Sequence, residues 1–259
     1  MMDTEIFKCF VAVIVVTERE EAGVRAHIRD FNKISVENDD QIYYESFFER
    51  DGEKKRIIMA KQNEMGMTAA AVLCTKLIEE FRPKYLIMTG IAAGIADAKD
   101  EKQYYGDVVV ADMVWNYASG KFVNPEQAEI RIGEVGFIPR PEVVNMNHQL
   151  NQYIEKAIAS MDNQCHVYIG PMACGTNVVA NREIIEKQVR SQINRTAAVD
   201  MESYAVAYAA QNATKPRPEA LVIKSVCDYG DARKCDYYQK FAAYTSFEFA
   251  KLLYEHYLP

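Results

Sequence analysis

The sequence predicts a three-layer α/β sandwich, on three observations. Short apolar, strand-like runs alternate with helical stretches along the whole chain, and 259 residues suffice for one large domain with a substantial core. No internal repeat, low-complexity tract or Pro/Gly/Ser-rich linker interrupts the alternation. The expectation is therefore a single domain over residues 1–259.

The elements follow in order. Phe10 to Val16 is wholly apolar and bounded by Thr17, as a strand covered on both faces should be, and Glu20 to Phe31 reads as the helix after it. Gln41–Glu49 and Lys54–Lys61 flank Asp51-Gly52, a dipeptide suited to a type I′ turn, and predict a hairpin. Ala-rich Met67 to Phe81 is a helix stopped before Pro83, feeding a strand from Tyr85 to Thr89. Asp107–Val114 is the next strand. Asn116 to Pro141 reads as a long irregular segment and Glu142 to Ser160 as an amphipathic helix. Cys165–Met172, Ala197–Val199 and Ala220–Cys227 read as further strands; Arg182–Ile193, Ser203–Asn212 and Asp236–Tyr257 read as helices.

Composition narrows the function classes. Apolar residues make up 49% and charged residues 26%, ordinary for a soluble globular chain. A formal charge of −7 and the lack of a Lys/Arg patch argue against nucleic-acid binding, which needs a basic face. The apolar run Cys9 to Val16 is too short to span a bilayer and has no basic leader, so neither membrane association nor export is expected, and the cytoplasm is the default location. The six cysteines contain no C-x-x-C pair and the four histidines no ligand spacing; neither a metal nor another cofactor is expected.

Two carboxylates stand out. Glu202, in Asp200-Met201-Glu202, opens the apolar run SYAVAYAA, and Asp228, in Ser225-Val226-Cys227-Asp228, closes the strand-like run ALVIKSVC. A carboxylate beside an apolar element is costly unless paired or used, so two of them point to a cleft where one holds a ligand and the other moves a proton. Each also has a plain structural reading, Glu202 as a helix-start acid favoured by the dipole and Asp228 as a turn cap.

Five segments, VAVIVVTEREEA, YLIMTGIAAGI, GDVVVADMV, AVDMESYAVA and KSVCDYGD, resemble in their order the nucleoside phosphorylase and nucleosidase superfamily. The likeness is to its 5'-methylthioadenosine/S-adenosylhomocysteine nucleosidase branch and spans residues 11 to 231. It implies a mixed, partly barrel-like central sheet, a homodimer, and hydrolysis of a purine N-glycosidic bond without a cofactor. Asp228 would then be the general acid at purine N7. Glu202 would accept hydrogen bonds from the ribose hydroxyls with Met201 packed on the sugar, Asp200 in support. Glu21 would orient the attacking water, with Glu18 and Glu20 as neighbouring alternatives.

The same resemblance places Ile91 and Ala92, in the small-residue loop Thr89–Gly94, near the sugar, and Val178 and Val179 against the base, where the family has a stacking aromatic. Lys224 falls at an anion-binding arginine, and Phe137, in a proline-rich loop with Arg140, would reach the 5' pocket of a neighbouring subunit. Phosphorylases of this fold carry an arginine and a serine where this chain has Met88 and Ile91, which favours water over phosphate as nucleophile. A phosphorylase drawing on Arg19, Arg25 or Lys224, or a non-catalytic nucleoside binder, are the alternatives.

Overall fold

The computed structural model describes residues 6–95, 102–161 and 165–259. In chain order the elements are β1 (Cys9–Val15), α1 (Glu18–His27), β2 (Asn32–Val36), β3 (Asp39–Arg50), β4 (Glu53–Lys61), α2 (Met67–Phe81), β5 (Pro83–Gly94), β6 (Val108–Asn116) and β7 (Gly120–Val123). There follow β8 (Ile130–Ile132), β9 (Val135–Pro139), β10 (Glu142–Asn145), α3 (Asn151–Ser160), β11 (Val167–Cys174) and α4 (Arg182–Ile184), which widens into a π-helical stretch over Ile185–Arg190. The chain closes with β12 (Ala198–Asp200), α5 (Ser203–Asn212), β13 (Glu219–Asp228) and α6 (Gln239–His256).

The main sheet explains the alternation in the sequence. Parallel β4–β1–β5 pairing makes its centre, and because β1 is covered on both faces its side chains divide by parity. Ala12 and Ile14 pack with α2 and α5, whereas Val11, Val13 and Val15 pack with Val24 of α1, Ile154 of α3 and Phe249 and Leu253 of α6. Helices thus cover both faces. On one side the sheet closes on itself: β5 pairs β13, β13 pairs β6, β6 pairs β11, β11 pairs β12 and β12 returns to β5, a five-stranded barrel-like ring within a mixed sheet. The hairpin turn has Asp51 and Gly52 at φ 52° and 75°, as the two central residues of a type I′ turn require.

Two expectations and one omission need correction. Residues 116–141 are not irregular: β7, β9 and β8 form a separate small antiparallel sheet. These strands hold three to five residues, too few for alternation to register as a pattern. Glu142–Asn145 is an edge strand on β6, not the start of a helix, and α3 begins only at Asn151. Asn32–Val36, unassigned from sequence, is an edge strand on β3.

Helix α1 sits unusually close to α6. A Cβ on Gly23 would lie 2.7 Å from the Ala243 carbonyl oxygen, so only glycine allows this approach. Gly23→Ala should lower stability by about 1–3 kcal/mol, the usual cost of overpacking; urea denaturation gives the measurement.

Candidate active site

The carboxyl ends of the central strands open on a cavity of about 380 Å³, within the range of small-molecule sites. Each acidic residue in it is placed by a separate backbone device. Thr17 caps α1 and forms a capping box with Glu20: the Thr17 hydroxyl accepts from Glu20 N–H at 3.2 Å, and Glu20 Oε2 accepts from the backbone N–H groups of Thr17 (2.9 Å) and Val16 (2.7 Å). This turns the side chain back over the end of β1. Its other oxygen accepts from Ile91 N–H at 2.9 Å. The carboxylate fills the space that a side chain at residue 90 would take, since a Cβ on Gly90, at φ 138°, would lie 1.8 Å from Glu20 Oε1.

Glu202 holds the N-cap position of α5 without capping it. Asp200 does the capping instead, accepting from Ser203 N–H at 3.0 Å and from the Ser203 hydroxyl at 2.6 Å. Glu202 is thereby released to turn toward the cavity, where its Oε1 accepts from Gly66 N–H at 2.7 Å. Asp228 owes its orientation to a register step. β13 runs beside β5 with Val226 opposite Ala92 but Asp228 opposite Ala93, so Cys227 is an extra residue and the strand bends there.

Behind these groups lies Lys224, opposite Gly90 in the ladder and 1% exposed. Its Nζ is 3.7 Å from Glu20 Oε1 and 3.9 Å from Asp200 Oδ2. Burial alone would push this lysine down, but Glu20, Asp200 and Glu202 outweigh it and hold it above its ordinary value, charged. Glu202 is pushed up to about 7, first by burial and further by Asp200 and Glu20, against the pull of Lys224 and the Gly66 N–H.

The expected residues fall into two groups. Ile91, Ala92, Val178, Val179, Met201, Glu202 and Asp228 all line the cavity, with Val178 more than half exposed at its mouth. Three others do not. Glu21 points out of the cavity and pairs with Arg25 at 2.8 Å and Lys61 at 3.6 Å, because the residue next to Glu20 on a helix faces about 100° away. Lys224 lies behind the wall, occupied by carboxylates. Phe137 is buried in the small sheet against Phe122 and Gly120. The structure adds Thr17, Arg19, Met65, Asn177, Lys234, Asp236 and Gln239 to the lining. Among the described residues no group of His, Cys, Asp or Glu is arranged to hold a metal ion, and no helix is long and apolar enough to cross a membrane.

A mixed sheet with a closed ring, carrying acidic groups from α1, the β12–α5 junction and the end of β13 around one cavity, defines a class that the family comparison identifies. The chain belongs to the phosphorylase superfamily, whose model matches residues 10–252. It is 30% identical over 232 residues to the uncharacterized protein y4jS of Sinorhizobium fredii, covering 84% of this chain and 54% of that one. It is 27% identical over 211 residues to the ATP nucleosidase Cap17 of Escherichia coli, covering 72% and 39%. The chain thus spans about half the length, or less, of these curated relatives. Among solved structures it is similar to the 5'-methylthioadenosine/S-adenosylhomocysteine nucleosidase of Neisseria meningitidis in complex with methylthio-immucillin-A, with a TM-score of 0.74, 22% identity and coverage of 95% and 98%.

Removing the buried cation while leaving its carboxylates should be strongly destabilising. Lys224→Met is expected to cost about 3–5 kcal/mol at pH 8, the range for breaking a buried ion pair. The loss should shrink as pH falls, because Asp200 and Glu202, already raised by burial and no longer opposed by a cation, take up protons more readily in the folded protein. Denaturation curves at pH 5.5 and 8 would check both magnitude and sign.

Proposed function

We propose that this chain hydrolyses the N-glycosidic bond of a purine riboside, releasing the base and the ribose moiety. The observation that carries the reading is the convergence of Glu20, Glu202 and Asp228 on one cavity wide enough for a nucleoside. Cleavage needs an acceptor for ribose hydroxyls, a donor to the leaving base and a group to orient water, and each carboxylate suits one of these tasks. The names of the two nucleosidase relatives agree with this chemistry.

Glu202, ionised, accepts hydrogen bonds from the 2' and 3' hydroxyls while Met201 packs on the sugar. Its charge also opposes the positive charge that grows on the ribose as the bond to the base breaks, so it favours the transition state over the bound substrate. Glu20 takes the place first expected of Glu21: held by two backbone N–H groups through one oxygen, it faces the sugar side of the cavity and takes a proton from the attacking water. Asp228 donates to purine N7, and Val178 and Val179 pack on the base.

Water is favoured over phosphate as the nucleophile. The lining contains the carboxylates of Glu20, Asp200, Glu202, Asp228 and Asp236 but, among the described residues, only Arg19 and Lys234 as cations. Arg19 pairs with Asp236 and Lys234 with Asp228, while Met88 is wholly buried and Lys224 is held by carboxylates. A dianion would enter a site already rich in negative charge. We further propose that the chain acts as a single nucleoside phosphorylase-like domain, in the cytoplasm and as a homodimer, on a small-molecule substrate rather than on nucleic acid or membrane.

Adenosine or methylthioadenosine in phosphate-free buffer should yield free base and free sugar, at a rate that added phosphate does not raise. Ribose 1-phosphate as the main sugar product would overturn the hydrolytic reading. Glu20→Gln should lower kcat about 10²-fold or more. Glutamine still completes the capping box but takes a charge from beside Lys224 and turns an amide toward Ile91 N–H, so the melting temperature should fall and kcat is read well below it, while Glu21→Gln should stay near wild type. Equal losses in the two variants would remove Glu20 from its role.

The pH dependence follows from Glu202. Its ionised form is the acceptor for the ribose hydroxyls and its pKa is about 7, so substrate affinity should rise as pH goes from 6 to 8. Folding has the opposite sign: a carboxyl group raised above its unfolded value favours the folded state less once pH exceeds that value. Glu202→Gln, which keeps an acceptor for Gly66 N–H, should therefore raise stability at pH 8 while weakening binding of ribosides. Thermal melts with paired KM measurements would test this.

A further inference from the structure

Asp228 is surrounded by donors. Its Oδ1 accepts from Gly230 N–H at 2.8 Å, and its Oδ2 accepts from the Cys227 thiol at 3.3 Å and from the ammonium of Lys234. A carboxyl group bonded in this way on both oxygens is an acceptor and holds no proton to give. The role proposed above nevertheless requires a proton at the base. Of the three donors, the backbone amide cannot release one, and the Cys227 thiol is pushed well up by burial and by the Asp228 charge. Lys234 remains. It lines the same cavity from the segment between β13 and α6, and its side chain is 27% exposed, so it can exchange protons with solvent.

We infer that Lys234 supplies the proton for the leaving base, passing it through the Asp228 carboxyl group. The inference rests on the hydrolytic reading of the site. In the free protein the pair is ammonium and carboxylate. As the C1'–N9 bond breaks and its electron pair moves into the purine, N7 takes a proton from Asp228, and Asp228 takes one from Lys234, which is left as a neutral amine. Water adds to C1' and gives a proton to Glu20; that proton leaves to solvent, and Lys234 regains one from solvent. One water is consumed, and base and sugar leave in neutral form.

Lysine and arginine differ in a way that tests this. Both pair with a carboxylate, but arginine does not give up its proton in a protein. The other ionisable groups on the cavity wall are Arg19 and Glu20 from α1, Asp200 and Glu202 from the β12–α5 junction, Cys227 from β13 and Asp236 from the same segment as Lys234. All stay in place in Lys234→Arg and Lys234→Met, so differences among the three proteins isolate this one group.

With adenosine or methylthioadenosine in phosphate-free buffer, both variants should lose about 10²-fold in kcat at pH 8, with KM little changed. The ratio of wild-type to variant kcat should narrow as pH falls, because solvent protons then compete with the route through Lys234. Wild-type kcat in Lys234→Arg would reduce Lys234 to an ion-pair partner, and a faster Lys234→Met would make it an obstruction; either overturns the relay while leaving the hydrolase reading intact. A wild-type protein that releases no base would remove the hydrolase reading and the relay together. Melting temperatures, expected to hold in Lys234→Arg, which keeps the ion pair, and to fall in Lys234→Met, which leaves buried Asp228 without its cation, separate a chemical loss from misfolding.

Discussion

One buried ammonium organises this molecule. Lys224 sits where water does not reach, and three carboxylates from two further parts of the chain converge near it: Glu20 from α1, and Asp200 and Glu202 from the β12–α5 junction. The ammonium and its carboxylates depend on one another. A lone ammonium at such depth would cost several kcal/mol, and so would an uncompensated cluster of carboxylates. Fold and site therefore share one electrostatic solution, in which β13 brings the positive charge and elements remote in sequence bring the negative ones. Burial first, and then the negative charge of Asp200 and Glu20, leaves Glu202 only marginally ionised near neutrality.

The backbone makes room for this arrangement. Gly90 gives its side-chain volume to the Glu20 carboxylate, the Gly66 amide faces Glu202, and the capping of α5 by Asp200 frees Glu202 for other work. None of these contributions comes from an unusual side chain. They place ordinary carboxylates on rigid strand ends and helix starts, where orientation varies less than on a long loop.

Much of the scaffold was legible in the sequence because long, fully covered elements carry strong patterns. The limits of α2 and α5 match the expected Met67–Phe81 and Ser203–Asn212, and the Asp51-Gly52 hairpin lies where its turn chemistry puts it. Short strands escaped: β7 to β10 hold three to five residues each, and the Glu-Val-Val-Asn of β10 merges into the amphipathic pattern of the helix that follows. At the site, the choice between Glu20 and Glu21 was already written in Thr17-x-x-Glu20, the spacing of a capping box, which fixes the acid turned toward the strand end. Lys234 left no such trace. It stands in a polar turn among other charges, and only its distance in space from Asp228, not any spacing in sequence, distinguishes it.

The extra residue in β13 has a consequence for how such chains diverge. Side chains along a strand alternate, so without the step at Cys227 the carboxylate of Asp228 would share a face with Lys224, four residues earlier. The ammonium would then meet a fourth acid, and the cavity would lose one of its carboxylates. One further residue between Val226 and Asp228, with the single step kept, would leave every residue type of the motif present and the hydropathy of the strand almost untouched, yet turn the acid onto the face of Lys224. In this strand the count of residues carries as much information as their identity, and an aligned aspartate is the same aspartate only when the insertion before it is aligned as well.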